Sequence, residues 1–546
     1  MKTLHMLALA AAVASASASV YAENSPSKGG TLTVPVITTA FTKSFNPYVN
    51  KLNIVGGMMF EPLAFTNVRQ GETSFRLAES FEYGEDYRSI TYTLREGLEW
   101  SDGQPLTADD VVYTFELARE IAIYDIAGVI ASGLVTQVTK VSDRAVRFDL
   151  AQKDSTAHWD INRYMPLPKH IWSEAGDLTT FGNPEGIGSG PVTELSYVRA
   201  QQMEVCRNPH YFLEDRPYLD CVKYRAFSDN SQIQPALMSG ELDWGSNFIA
   251  DIDKTYVETD PDNHHYWYPP NDAIHLYFNT ERAPFDDVKF RQAVSVALDR
   301  ESIVEFAAYG YPTPNFFPGG IGNYFSDYMS ESVMEAFGWL TQYNPDKARE
   351  LLDEAGYVDA DGDGLRDLPD GSPLSFDIQV VNGWTDWVQA VMMITEYLQE
   401  LDIDANVNAV EWGVYDKSLK EGEYDAAINW SLLSTHPIQT FKEYYHTSRV
   451  GQIWHAGHGV HSEDVDELIE GFGALTEDSA KQETLDELQR FTAEKLPFTP
   501  LFSNATWFQY NTTRFEGWPS EEDPYVHPVF YTVGNNTLIF NNLHLK

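Results

Sequence analysis

Apolar and polar positions alternate between two periods along this chain, and short strands and helices are predicted from one end to the other. Thr31-Leu32-Thr33-Val34 and Ile90-Thr91-Tyr92-Thr93-Leu94 have the two-residue period of half-buried strands. Val111 to Ala122, Phe290 to Ala297 and Lys347 to Ala355 have helical spacing. The first follows a Thr107 cap with Asp109 and Asp110 in its opening turn, and the last stops at Gly356. Met58 to Leu63 reads as a helix ending at proline, and Glu463 to Lys495 as acidic helices before a strand at Pro497–Leu501. No repeat or low-complexity linker divides the chain, so its lobes should be interwoven.

One stretch stands out. Gln379-Val380-Val381 reads as a buried strand, Asn382-Gly383 as a turn, and Trp384-Thr385-Asp386-Trp387 as the opening of a helix running to Gln399. Ligands often sit where such a strand ends. Two tryptophans and a carboxylate offer a stacking face and a hydrogen-bonding edge, as a sugar ring requires; the plainer reading is that both rings pack in the core. Tyr424–Trp430 is a second strand entering a loop, with Asn429 and Trp430 at its end.

Composition narrows the picture. The 546 residues, 43% hydrophobic, suffice for two or more lobes. Lys2, the apolar run Leu7–Val20 and Val20-Tyr21-Ala22 form an export signal with cleavage after Ala22, which points to a bacterial periplasm. No later apolar run is long enough to span a bilayer. The formal charge of −44 disfavours nucleic acid and anionic membranes. The two cysteines, Cys206 and Cys221, are expected to form one disulfide in an oxidising compartment, since no further ligand at zinc spacing accompanies them.

Several blocks together resemble the family 5 extracytoplasmic solute-binding proteins, the peptide, nickel and oligosaccharide receptors of ABC importers. They are Leu77-Ala78-Glu79-Ser80, Leu94 to Gly103 running into Leu106 to Val112, Gly188-Ser189-Gly190-Pro191, Phe278-Asn279-Thr280 with Pro284 to Ala293, Ala297-Leu298-Asp299-Arg300, and Asn344 to Ala348. The resemblance implies an α/β fold: a two-lobe periplasmic binding protein with a hinge, the larger lobe carrying an inserted subdomain. By analogy lobe one spans 23–63, 188–278 and 498–546, its insertion 64–187, and lobe two 279–497. It also implies a non-catalytic monomer whose partner is a membrane permease.

Within that family the chain looks most like chitin-oligosaccharide receptors of marine bacteria, through His264–Pro270, Asn382–Asp386, Tyr510–Trp518 and the cysteine pair around Asn208-Pro209. The closer resemblance implies that Trp384 and Trp518 sandwich a neutral β-linked sugar, with Asp386, Asn429 and Asn208 among its polar contacts. It also raises a membrane sensor kinase as a further partner. Trp430 and Trp454 are candidate rim aromatics; Trp387 and Trp412 read as core. Capping is the alternative role for Asp386, Asn429 and Asn208. The relatives' basic-aromatic pair is Ile453-Trp454 here, and Ser431 stands in place of an aromatic, so a cello-oligosaccharide competes with a chitooligosaccharide.

Peptide receptors of the family are the main rival. They place an aspartate for the peptide ammonium three residues after the second strand's Trp, where this chain has Leu433. A glycosidase-like acid pair is the enzyme alternative; no serine nucleophile elbow or zincin motif occurs. Asp359, Asp361, Asp363 and Asp367 alternate around Gly362 and Gly364 as in a calcium loop, but Asp370 stands at position twelve, and a plain helix-to-strand linker is the other reading. His455, His458 and His461 read as a rim loop in preference to a zinc site.

Overall fold

The computed structural model describes residues 26–49, 55–455 and 459–546. The expected export signal and His458 lie outside them. No helix among the described residues is long and apolar enough to cross a membrane.

Three sheets carry the architecture. In the first lobe, Thr31–Ile37 runs parallel to Cys221–Phe227, followed by Gln202–Arg207 and Val192–Arg199. A second antiparallel sheet, Ala78–Tyr83, Ser89–Leu94, Ala145–Leu150 and Val135–Ser142, builds the insertion. The second lobe is a six-stranded sheet in the order Thr313–Pro314, Phe498–Ala505, Pro270–Phe278, Ala426–Trp430, Ser375–Val381, Asp404–Val410. The strands Pro270–Phe278 and Phe498–Ala505, counted with lobe one by the sequence boundaries, are therefore neighbours inside the second lobe's sheet. They are the segments on which the chain crosses between lobes.

The recognisable blocks have structural roles. Thr107 caps the helix Ala108–Glu120 in a capping box with Asp110, and Trp100 is fully buried beneath it. Arg300, 1% exposed, donates to the carbonyls of Ser295, Leu298, Thr341 and Pro500, tying a helix start to the crossing strand. Arg76 and Glu61 form a buried bidentate pair to which the Tyr211 hydroxyl is also bonded.

Cys206 and Cys221 face each other across adjacent strands and are joined. In the chain-entropy picture a loop of 15 residues contributes about 3 kcal/mol. Met58–Leu63 is not a helix. It is a turn closed by Gly57 N–H on the Phe60 carbonyl, and the Met58 and Met59 carbonyls accept from Val192 and Gly190. Apolar content there reflects burial, not helical period.

Candidate functional site

Three strand ends meet at one edge of the six-stranded sheet. Ser375–Val381 and Ala426–Trp430 run parallel and present their C-terminal ends; Pro270–Phe278, antiparallel to the latter with Ile274 opposite Trp430, presents its N-terminal end. The turn after Val381 needs Gly383, which sits at φ +92°, and Trp384 then caps the helix Thr385–Gln399. Trp384, Trp387, Trp412 and Trp430 gather there with ring centroids 5.0–6.0 Å apart. Trp387 is buried, as expected. Trp384 and Trp430 are half-buried, and Trp412, expected in the core, is 41% exposed and stacks on Trp430. It opens the helix Trp412–Glu421, so its ring is displayed over the edge.

Asp386 is buried beside this cluster. Burial pushes its carboxyl up to about 7, against the partial relief of backbone N–H groups, its own and Trp387's. It does not cap the helix; that position belongs to Trp384. The two asparagines are committed elsewhere. Asn429 donates to the Ile453 carbonyl and accepts from the Tyr415 hydroxyl. Asn208 donates to the Gly190 carbonyl and accepts from His210 N–H, holding a turn of the first lobe. Both amides thus serve the backbone, the capping role weighed against sugar contact.

Trp518 is 7% exposed, packed among Trp244, Phe508 and Tyr510, with its indole N–H on the Phe515 carbonyl. Trp384 is not among its ring neighbours, so the two expected jaws are not in contact. Trp454 is half-buried against the core around Tyr277 and Phe441. In the acidic loop Asp359, Asp361 and Asp363 converge, whereas Asp367 is buried and accepts from Ala360 N–H. His455 and His461 have ring centroids 5.7 Å apart.

The sequence reading missed Asp272. It lies just before the crossing strand pairs with Trp430, and its Oδ1 is buried without a hydrogen-bond partner. Burial holds its carboxyl well above the usual range. Its place in a Pro-Pro-Asn-Asp lead-in looks like loop, so nothing in the local pattern marks it. Arg69, which lies over the Trp267 ring at 5.1 Å, was missed for the same reason.

The insertion also touches the second lobe, through charge. Glu443, 1% exposed, receives Arg163 at 2.7 Å and Arg449 at 2.9 Å, and Lys442 meets Asp160 at 2.5 Å. Burial alone would raise the Glu443 carboxyl, but Arg449 and Arg163 pull it down to about 2. Trp159 stacks on His436, and a cavity of about 140 Å³ is lined by Trp159, Lys442, Glu470 and Phe472.

Bacterial extracellular solute-binding proteins, family 5, match this chain over residues 72–452 in their middle region. The oligopeptide-binding protein AppA of Bacillus subtilis is 27% identical over 495 residues, 87% of each chain. Heme-binding protein A of Haemophilus influenzae is 25% identical over 498 residues, 85% of each. Among solved structures, the mannohexaose-bound periplasmic oligopeptide-binding protein of Thermotoga maritima superposes with TM-score 0.87 at 24% identity, over 96% of this chain and 100% of that one. AppA holding a nonapeptide gives 0.80 at 23% identity, over 96% and 100%. At these identities the superpositions speak for the two-lobe fold alone. The relatives are named for oligopeptides and heme, so the narrower resemblance to chitin-oligosaccharide receptors gains no support from them. The chain belongs to the family 5 bacterial extracellular solute-binding proteins, the substrate-binding components of ABC importers.

Proposed function

We propose that the chain is a periplasmic receptor that closes on a short β-linked oligosaccharide and hands it to its permease. The tryptophan edge carries this reading. Trp384 and Trp430, half-buried, and Trp412, exposed, keep ring surface available at the strand ends, and a pyranose buries its C–H face on such rings. Asp386 supplies a buried oxygen next to them for a hydroxyl. The Thermotoga protein holds mannohexaose in the same two-lobe fold, so the fold accommodates an oligosaccharide as well as a peptide. The sandwich proposed from sequence is recast: the stacking face is the second lobe's cluster, and Trp518 reaches the sugar only if the rings around it part. Closure follows from differential affinity, since only a ligand touching both lobes favours the closed form.

An oligopeptide is the second reading, and the names of the curated relatives favour it over the sugar. Against it, Leu433 stands where peptide receptors place the aspartate for the ammonium. Calorimetry with cellobiose, chitobiose, mannobiose and a tripeptide separates the two. Sugar binding with no tripeptide response is expected; tight tripeptide binding alone would overturn the sugar reading. Trp384→Ala should weaken sugar affinity at least tenfold, about 1.4 kcal/mol, with the melting temperature within a few degrees. Unchanged affinity would return Trp384 to a packing role.

A further inference from the structure

Asn271 and Asp272 line a small enclosed space of about 10 Å³ with Tyr324, Ser431, Leu433 and Thr440. That is room for one water-sized group. Two oxygens there, Asn271 Oδ1 and Asp272 Oδ1, are buried without a hydrogen-bond partner, and the Ser431 hydroxyl oxygen accepts from Ala273 N–H. No Lys, Arg or His forms an ion pair with Asp272 among the described residues. A carboxylate buried without a cation is costly and stays ionised only when one arrives. An ammonium offers donors to both unpartnered oxygens and a positive charge to Asp272. The space adjoins the end of the Trp430 strand, so a ring stacked on the tryptophans could place a substituent there.

We propose that Asp272 is a specificity-determining residue that receives a primary ammonium of the ligand, an amino-sugar oligomer with a free amine being the ligand the tryptophan face favours. The choice of a sugar rests on the preceding reading; the ammonium does not. It replaces the neutral sugar expected from sequence with a cationic one, which the charge of −44 also attracts. The carboxylate that peptide receptors offer after the second strand is absent at Leu433, and Asp272 presents one to the same space from the neighbouring strand.

Two matched pairs test this by calorimetry: glucosamine disaccharide against its di-N-acetylated form, and a tripeptide against its N-acetylated form. Each is titrated into wild type and Asp272→Asn, an isosteric change. At least one free amine should bind wild type tenfold or more tighter than its acetylated partner, and Asp272→Asn should reduce that ratio to within twofold. A ratio near one in both pairs, a ratio that survives Asp272→Asn, or no binding of either amine would overturn the proposal. A ratio in the peptide pair with silent sugars would keep Asp272 and reject the sugar. Equal binding of both sugars, with no peptide ratio, would keep the sugar and reject Asp272.

Discussion

The second lobe meets the rest of the chain in two unlike ways. At the tryptophan edge, the turn at Gly383 touches the first lobe through a backbone bond from Asn230 N–H at 3.4 Å, and Asp386 stays buried with no cation. On the insertion side, Glu443 is enclosed by two guanidiniums, one from each side of the seam, and Lys442 by Asp160. Burial acts on both acids in the same direction, yet Glu443 ends near 2 and Asp386 near 7. Partners decide the outcome. A seam that satisfies its own charges holds elements together, whereas an edge that leaves acid and aromatic surface unsatisfied is built to receive something.

The largest effect should come from breaking the seam. Glu443→Ala leaves Arg449 without its carboxylate and Arg163 with only Asp160, at 3.9 Å, and should lower stability by about 3–5 kcal/mol in urea titrations. The pH signature follows from the depressed carboxyl. Its contribution is present above about pH 4.5 and is lost as pH falls toward about 2. Wild type should therefore lose more stability than Glu443→Gln over that window; parallel losses would show that the pair does not couple to folding.

Asp386 should behave with the opposite sign. A carboxyl raised to about 7 holds its proton in the folded chain and not in the unfolded one, so stability falls as pH rises from about 4 to about 7. Asp386→Asn should then be more stable than wild type at pH 8, by about 4 kcal/mol, and nearly equal at pH 4. In sugar titrations the same variant should bind more weakly, a stability gain opposed by a function loss. A variant destabilised at pH 8 would mean that a partner compensates the acid.

How much of this was legible follows from distance along the chain. Val381, Gly383, Trp384 and Trp387 report their own arrangement, because strand, turn and helix succeed one another within a dozen residues. The Thr107 cap, with Asp109 and Asp110 in the first turn, was equally local and appears as read. The seam was not, since Arg163 and Glu443 lie 280 residues apart and each looks like an ordinary charge on a helix. Asn208 and Asn429 differ again, since the sequence left both a capping role and a ligand contact open. An amide at a strand end can serve the backbone or a ligand, and only the position of the Gly190 and Ile453 carbonyls decides. Trp412 misled because a tryptophan opening a helix is core or display depending on what lies over it, here another tryptophan.

Gly383 gives the smallest and most selective test of the edge. A Cβ there would lie 3.0 Å from the Ser228 carbonyl and 3.2 Å from Asp229 Cβ, both on the first lobe, and its φ of +92° strains any side chain. Gly422, at φ +67° in the same lobe, ends the helix Trp412–Glu421 with nothing within 4 Å of its Cβ position. Both Ala variants should lose about 1 kcal/mol for a left-handed backbone. Only Gly383→Ala adds an obstruction to the contact between lobes, so only it should weaken ligand binding, by several-fold, and shift small-angle scattering toward a larger radius of gyration. If Gly422→Ala weakens binding equally, the loss is backbone strain within one lobe; if neither does, the Gly383 turn does not govern how the cleft closes.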